Sequence, residues 1–130
     1  MQRKGVLCFL KKGEEVLLIR VDYGNGNVFW NGISGFVEEN EAVESALVRE
    51  VKEEVEIDVN PESLDHRGTH RVSQELILEV FIVHAWGGEP VSMEESIKGL
   101  GWFKIDELPF AEMFAGNEEW IPDLLKTERS

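Results

Sequence analysis

Apolar and polar residues alternate along the chain in runs that predict five strands. The residues between the first two runs (11–14) fit a tight hairpin turn. The run that ends at Trp86 is almost wholly apolar and rich in Ile, Val and Phe, which is typical of a strand in the middle of a sheet. The predicted strands are Lys4 to Leu10, Glu15 to Val21, His66 to Val72, Leu76 to Trp86 and Leu100 to Ile105.

Two segments have the periodicity of helices. Residues 41–55 predict a strong helix that starts near Asn40, a good N-cap residue, and Pro61 marks the loop that follows it. Residues 117–126 predict a terminal helix that begins or is interrupted near Pro122. Residues 22–34, rich in glycine and asparagine, predict a loop. This order predicts an α/β (α+β) fold with a mixed sheet between helices.

The first predicted helix places three acids on its apolar side. Each helical residue advances by about 100° around the axis. On that wheel Glu50, Glu53 and Glu54 continue the apolar arc instead of opposing it. The apolar arc itself is made by Ala42, Val43, Ala46 and Leu47, and the water-facing arc by Ser45, Arg49, Lys52 and Glu56.

Such a cluster of carboxylates is unfavourable without a counter-charge. Like charges four residues apart repel each other, and Glu53 and Glu54 lie in the last turn, where the helix dipole is negative. A divalent cation with oxygen ligands would balance them, and Mg²⁺ is the usual ion where phosphates share the coordination. The alternative is an acidic surface helix whose glutamates are simply solvated.

The same segment resembles the Nudix box, G-x5-E-x7-R-E-U-x-E-E-x-G-U, where U is an apolar residue. One position departs from it, because Glu56 stands where the family has its second glycine. A residue with a Cβ atom is penalised there by about 1 kcal/mol if the left-handed turn is kept. The residues that match are Gly35, Glu41, Arg49, Glu50, Val51, Glu53, Glu54 and Ile57.

Other segments are similar to the oxidised-purine nucleoside triphosphate diphosphatases of the Nudix family. Residues 29–35 resemble their W-N-G-x-G-G segment, residues 102–110 their late strand and turn, and residues 112–122 their C-terminal segment. The family members that recognise oxidised purines have a pair of aspartates after an aromatic residue. Here Gly116 and Asn117 occupy this place, so base specificity does not follow from the resemblance.

The resemblance implies a Nudix-type α/β/α sandwich and a set of roles at the box. Glu50, Glu53 and Glu54 would hold one to three Mg²⁺ ions, with Mn²⁺ as a possible substitute, together with the main-chain carbonyl of Ser34. Arg49 would orient the carboxylates; the alternative is a surface ion pair with Glu41 or Glu56. The loop before the late strand offers Glu94 and Glu95 as general base or further metal ligand, or as solvated acids.

A nucleobase site needs flat apolar walls and a polar group that reads the base edge. Asn31 is the best reader, because its amide both donates and accepts hydrogen bonds. Tyr23, Phe114 and Trp120 are candidate walls, with core packing as the alternative for each. Core packing is the preferred interpretation for Trp120, as it is for Trp30 and Trp102. Arg20 is a candidate phosphate ligand or an ordinary surface residue.

Composition narrows the classes of function. The 130 residues predict one domain, 1–130, and a lone cysteine, Cys8, excludes an internal disulfide framework. No leader or membrane span is predicted, which favours a cytoplasmic protein. The net charge of −13 disfavours binding to nucleic acid polymers and would repel a phosphorylated substrate unless bound metal reversed the local sign.

The leading hypothesis is a Mg²⁺-dependent Nudix pyrophosphohydrolase that cleaves a nucleoside triphosphate to a nucleoside monophosphate and pyrophosphate, with an oxidised purine as one candidate base. A second hypothesis keeps the family but assigns a nucleotide sugar, ADP-ribose or a dinucleoside polyphosphate as substrate. A third is a non-catalytic nucleotide-sensing or partner-binding domain on the same scaffold. The sequence leaves open whether the protein is a monomer or a homodimer.

Overall fold

A computed structural model describes residues 2–126 and contains seven strands and two α-helices. Three short 3₁₀ helices lie at Pro61–Ser63, Ile105–Glu107 and Phe110–Glu112. The helices are α1 (Val43–Val55) and α2 (Asn117–Lys126). The strands are β1 (Arg3–Lys12), β2 (Glu15–Asp22), β3 (Val28–Asn31), β4 (Ile33–Phe36), β5 (Asp65–Ser73), β6 (Leu76–Val83) and β7 (Ile97–Lys104).

The seven strands form one mixed sheet centred on β1. Strand β1 pairs in parallel with β6 over eight residues, and β6 pairs with β5 on its other side. Strand β4 lies antiparallel to the first half of β1, and β2 pairs with the end of β1 through the hairpin turn. Strands β3 and β7 both pair with β2. The apolar run in β6 is thus an interior strand, as its composition predicts.

Side chains on both faces of the sheet are buried, so two hydrophobic layers form. In β1, Val6, Cys8 and Leu10 face the layer beneath α1, whereas Leu7 and Phe9 face the layer beneath α2. Alternation along a pleated strand explains why β1 is a continuous apolar run. The predicted α/β/α sandwich with a mixed sheet is confirmed. No helix in the described part of the chain is long and apolar enough to cross a membrane.

The prediction of a continuous loop over residues 22–34 is wrong, because β3 and half of β4 lie within it. The glycines and asparagines there serve a turn at residues 23–27 and a close strand contact. Gly24, Asn25 and Gly26 all have positive φ angles. A Cβ atom on Gly32 would lie 2.7 Å from the carbonyl oxygen of Cys8, so glycine is what allows β4 to approach β1.

The predicted start of the first helix needs a correction, whereas the bounds of the terminal helix are confirmed. Helix α1 begins at Val43 with Ala42 at the cap position, and Asn40 lies outside it in a left-handed conformation, with φ 64°. The backbone N–H of Glu38 donates to the Glu41 carboxylate at 2.9 Å, which uses Glu41 to close the turn before the helix. Helix α2 spans Asn117–Lys126, as predicted, and of the two alternatives for Pro122 the proline lies inside the helix and does not start it.

Helix α1 ends in the left-handed turn expected at this position, although the residue there is a glutamate. Glu56 has φ 59° and ψ 38°, and its N–H donates to the carbonyl of Lys52 at 3.1 Å. This is a left-handed C-cap, which strongly favours glycine because a Cβ atom crowds the neighbouring carbonyl. The turn geometry is therefore retained with a glutamate in it, at a cost in stability.

We expect Glu56→Gly to raise the free energy of unfolding by about 1 kcal/mol, because glycine adopts the left-handed conformation without strain. Urea denaturation followed by circular dichroism measures the change. The matched control is Ser45→Gly, an exposed position inside the same helix, which should lower stability by about 0.5 kcal/mol. A loss of stability in Glu56→Gly would show that the glutamate itself contributes to the cap.

Candidate active site

The carboxylate of Glu50 packs against the backbone of Gly35, where α1 crosses β4. A Cβ atom placed on Gly35 would collide with the Glu50 carboxyl group, so glycine at this position is a steric requirement. The side chain of Glu50 is 15% exposed. The helix thereby holds one carboxylate directly against the strand segment that carries the Ser34 carbonyl.

Arg49 ties this carboxylate to the beginning of the helix. Its Nε and Nη2 donate to both oxygens of Glu41 at 2.9 and 3.0 Å, and Nη1 donates to Glu50 at 2.7 Å. Nη2 also donates to the carbonyl of Phe36 at 3.0 Å. The prediction that Arg49 faces water is wrong: its side chain is 26% exposed and folds back over the acids. This geometry is compatible with both predicted roles of Arg49, an ion pair with Glu41 and orientation of a box carboxylate.

These contacts shift the pKa values of Glu41 and Arg49. Hydrogen bonds from Arg49 and from the backbone of Glu38 lower the pKa of Glu41 to about 2. The hydrogen bond to Glu41 raises the pKa of Arg49 above its already high usual value. Both groups are therefore charged throughout the physiological range, and the Glu50 carboxylate has a fixed cation beside it.

Glu54 is the chemically unusual acid of the group. Its Oε2 atom is buried and has no hydrogen-bond partner among the described residues. Burial raises the pKa of Glu54 well above its usual range, and a hydrogen bond to Glu50 and the charges of Glu50, Glu94 and Glu53 raise it further. A buried carboxylate without a partner is costly, and a cation would satisfy it.

The acids of α1 offer the hard oxygen donors that Mg²⁺ or Mn²⁺ takes. Among the described residues no three Asp, Glu, His or Cys side chains are arranged as a ready-made metal shell. Glu50 is directed at Arg49, and the side chain of Glu53 is 56% exposed and lies 3.5 Å from Arg49. The prediction that Glu53 continues the buried face is wrong, because it extends from the exposed side of the last turn. The unpartnered oxygen of Glu54 still fits a cation.

A loop fixed to the end of α1 brings a further acid to the cluster. The N–H groups of Val91 and Met93 donate to the carbonyls of Val55 and Glu54, each at 3.0 Å. The charge of Glu94 contributes to the raised pKa of Glu54. Both predicted loop acids, Glu94 and Glu95, are exposed, but the charge of Glu95 is not among the causes that raise the pKa of Glu54. Glu94 is therefore the loop acid whose charge the buried carboxyl group senses.

A cavity of about 710 Å³ begins at this strand segment and reaches α2. Asn31, Ser34 and Gly35 line it, together with Tyr23 and Phe114. The Tyr23 and Phe114 rings lie 5.0 Å apart, and Tyr23 is hydrogen-bonded to Asn31. Burial raises the pKa of Tyr23, the hydrogen bond to Asn31 opposes this shift, and the charge of Glu54 adds to it.

The sequence did not predict a binding role for three residues that line this cavity, namely His70, Asn117 and Glu119. The ring of His70 stacks on Trp120 at 3.8 Å, and burial lowers the pKa of His70. Asn117 is 8% exposed, and Glu119 follows two residues later on α2. Asn117 occupies one of the positions where the resembling proteins have aspartates, and that substitution was the available signal. His70 lies on a distant strand and gave none.

The other candidate residues lie elsewhere. Arg20 is exposed on β2, opposite Trp30 and Gly99, and does not line this cavity. Trp30 packs against the hydrophobic layer beneath α2, as predicted. Trp120 packs there too and also lines the cavity. The prediction that Trp102 is a core residue is wrong, since it is 37% exposed.

Comparisons of the sequence with known proteins agree on one family. The NUDIX domain family matches residues 1–124. An oxidized purine nucleoside triphosphate hydrolase of Mus musculus is 30% identical over 95% of this chain and 80% of its own length. The Danio rerio protein of the same name is 33% identical over 88% of this chain and 74% of its own. An NAD-capped RNA hydrolase NudC of Stutzerimonas stutzeri is 34% identical over 80% of this chain but 37% of its own length.

Solved structures agree in fold. The crystal structure of a MutT NUDIX hydrolase from Burkholderia pseudomallei superposes with a TM-score of 0.83 and 25% identity, over 98% of this chain and 99% of the other. A MutT structure from work on Aliivibrio salmonicida and Vibrio cholerae has a TM-score of 0.78 at 23% identity, over 97% of this chain and 98% of the other, which supports the fold alone.

The raised pKa of Glu54 predicts a pH-dependent stability in the absence of divalent metal. The folded protein holds this proton above the unfolded pKa of 4.5, so the contribution to stability is full below pH 4.5 and is lost as the pH rises. Glu54→Gln removes this titration. From pH 5 to pH 8 we expect the wild type to lose about 1 kcal/mol or more relative to Glu54→Gln. Urea denaturation in EDTA measures this difference, and parallel pH curves would contradict the buried, protonated state.

Proposed function

Because this chain belongs to the NUDIX domain family and is a pyrophosphohydrolase, we propose that its substrate is a nucleoside triphosphate, which it splits to a nucleoside monophosphate and pyrophosphate with Mg²⁺. The observation that carries the proposal is the continuity of the site. The aromatic cavity ends at Ser34 and Gly35, and the Glu50 carboxylate packs against Gly35. A base in the cavity would thus lie beside the acids that meet its phosphates.

Glu50, Glu53, Glu54 and the Ser34 carbonyl would hold the metal, with Mn²⁺ as a substitute. Bound there, a divalent ion lowers the pKa of a water molecule and neutralises the phosphate oxygens. Arg49 donates a hydrogen bond to the Glu50 carboxylate and would hold it in place. Glu54 would give up its proton when the metal binds, because a ligand carboxylate must be deprotonated.

Glu94 is the better candidate for the general base that takes the proton of the attacking water. Its loop is hydrogen-bonded to the end of α1, and its charge acts on Glu54. Glu95 lacks this second observation. A general base has to lie within hydrogen-bond reach of the water, directly or through one further water.

The base would lie between aromatic walls made by Tyr23 and Phe114, with Asn31 reading its edge. Asn117 would offer a neutral amide where the resembling diphosphatases have a carboxylate. A neutral amide pairs with either hydrogen-bond polarity, so the proposal includes both ordinary and oxidised purines. Arg20 lies away from this cavity, and we assign it no role in the site.

Three further properties complete the proposal. We propose that residues 1–130 form one catalytic domain, that it acts in the cytoplasm, and that it is a monomer or a homodimer. Its partner is a small nucleotide and not a nucleic acid polymer, consistent with a net charge of −13.

A substrate panel with product analysis tests the proposed reaction. The arms are ordinary and oxidised purine nucleoside triphosphates, ADP-ribose, a nucleotide sugar, a dinucleoside polyphosphate and NAD. NAD is included because of the similarity to part of the NudC proteins. We expect pyrophosphate and a nucleoside monophosphate from triphosphates, in Mg²⁺ and not in EDTA. Faster cleavage of any other arm would replace the triphosphate assignment, and binding without turnover in every arm would leave a nucleotide-sensing domain.

Glu53→Gln should lower kcat by about 10²-fold or more, because it removes a charged metal ligand while keeping the shape of the side chain. The fold should be unchanged, since this side chain is 56% exposed. The matched control is Glu56→Gln, an exposed glutamate three residues further on, which should keep its activity. Steady-state kinetics with saturating Mg²⁺ measures both variants. Full activity in Glu53→Gln would remove this residue from the metal site.

A further inference from the structure

A second cavity of about 490 Å³ lies at the other end of β1. Gly5 and Leu7 of this strand line the first cavity, whereas Lys11 and Lys12 line the second. A strand rises by about 3.3 Å per residue, so even Leu7 and Lys11 are roughly 13 Å apart, and the two cavities share no lining residue. The second cavity is therefore not an extension of the proposed nucleotide site.

Two tryptophans form one wall of the second cavity. The rings of Trp86 and Trp102 are nearly parallel, at 19°, with their centroids 6.0 Å apart. Trp86 packs against the hydrophobic layer beneath α1, and Trp102 is 37% exposed. Trp102 lies on β7 and Trp86 in the segment that follows β6. Together these two indoles form an apolar platform, the kind of surface on which a nucleobase stacks.

Two lysines also line the second cavity. Lys11 and Lys12 end β1 at the hairpin turn, where Gly13 has a φ of 62°. Within the described part of the chain, neither ammonium nitrogen has a carboxylate oxygen within 4.0 Å. Their charges are therefore available to a ligand, although the protein as a whole has a net charge of −13. They give this cavity a positive side that suits an anionic ligand.

Polar groups between the platform and the lysines complete the site. Glu89 lines the cavity and can accept a hydrogen bond from an N–H group of a base. His84 lines it too, and its Nε2 lies 2.9 Å from the Asp65 carboxylate. That contact fixes the orientation of the imidazole ring.

We propose that this cavity is a second, non-catalytic site that binds a nucleoside 5′-phosphate. The base stacks on the Trp86–Trp102 platform, and the phosphate contacts Lys11 and Lys12. The base of a mononucleotide offers a flat ring that can stack on the indoles, and its phosphate offers a negative charge for the lysines. A cavity of about 490 Å³ is in the size range of small-molecule sites. The catalytic acids of α1 do not line this cavity, so the ligand is bound and not cleaved there.

Three of the four tryptophans allow ligand binding at each cavity to be measured separately. Trp86 and Trp102 lie at the second cavity and Trp120 at the first. In ¹H–¹⁵N spectra of the wild type, without divalent metal, AMP should shift the indole N–H signals of Trp86 and Trp102. Adenosine, which lacks the phosphate, should bind there at least tenfold more weakly. Lys11→Gln/Lys12→Gln should lower the affinity for AMP to that for adenosine and leave the Trp120 titration unchanged.

The proposal would be overturned if millimolar AMP did not shift Trp86 and Trp102, if adenosine bound as tightly as AMP, or if the lysine variant kept the wild-type affinity for AMP. Tighter binding of a 5′-phosphorylated trinucleotide would also overturn it, because it would assign the site to nucleic acid ends. Asn31→Ala separates the cavities. It should weaken the Trp120 response and leave those of Trp86 and Trp102 intact. Loss of all three responses together would mean that the indoles report a single site.

Discussion

The bidentate contact between Arg49 and Glu41 is the interaction on which the geometry of the candidate site depends. It joins the turn before α1 to the middle of the helix, and the same guanidinium holds the Glu50 carboxylate and the carbonyl of Phe36. A planar fork with several donors suits this task, whereas a lysine would offer a single point of charge. Because Arg49 is partly buried, water screens these contacts less than it screens a surface ion pair.

The position of Gly35 supports this arrangement from the sheet. Glycine gives the Glu50 carboxylate the space that a Cβ atom would fill, and the pairing of β4 with β1 fixes where that space lies. Gly32, three residues earlier, has a similar role because it allows the close approach to Cys8. The helix thus supplies the acids, and the strand supplies the room in which they are held.

Much of this fold follows from local pattern. The long strands were predictable because both faces of the sheet are buried, so strands such as β1 and β6 are apolar runs. Helices α1 and α2 were predictable from their helical periodicity. The short strands β3 and β4 were not, since four residues carry little periodicity and pairing with β1 and β2 stabilises them. Asn40 is not the cap because the helix begins three residues later, at Val43, and Asn40 has a left-handed backbone in the turn that Glu41 closes.

The site was predictable in its residue types more than in its side-chain positions. A helical wheel gives the direction of a Cβ atom, but Arg49 is long enough to fold back over Glu41 and Glu50, and Glu53 is long enough to reach outward. The stack of His70 on Trp120 joins β5 to α2 and depends on tertiary structure, so no local pattern contains it.

One oxygen of the buried Glu54 carboxyl group has no hydrogen-bond partner among the described residues, and a cation bound there would couple the stability of the protein to its surroundings. A ligand that binds the folded chain and not the unfolded one stabilises it in proportion to the logarithm of its free concentration. With a divalent cation as that ligand, starvation for the ion would make transient opening more frequent and expose the chain to proteases. The supply of an inorganic nutrient would then set the abundance of this protein as well as its activity.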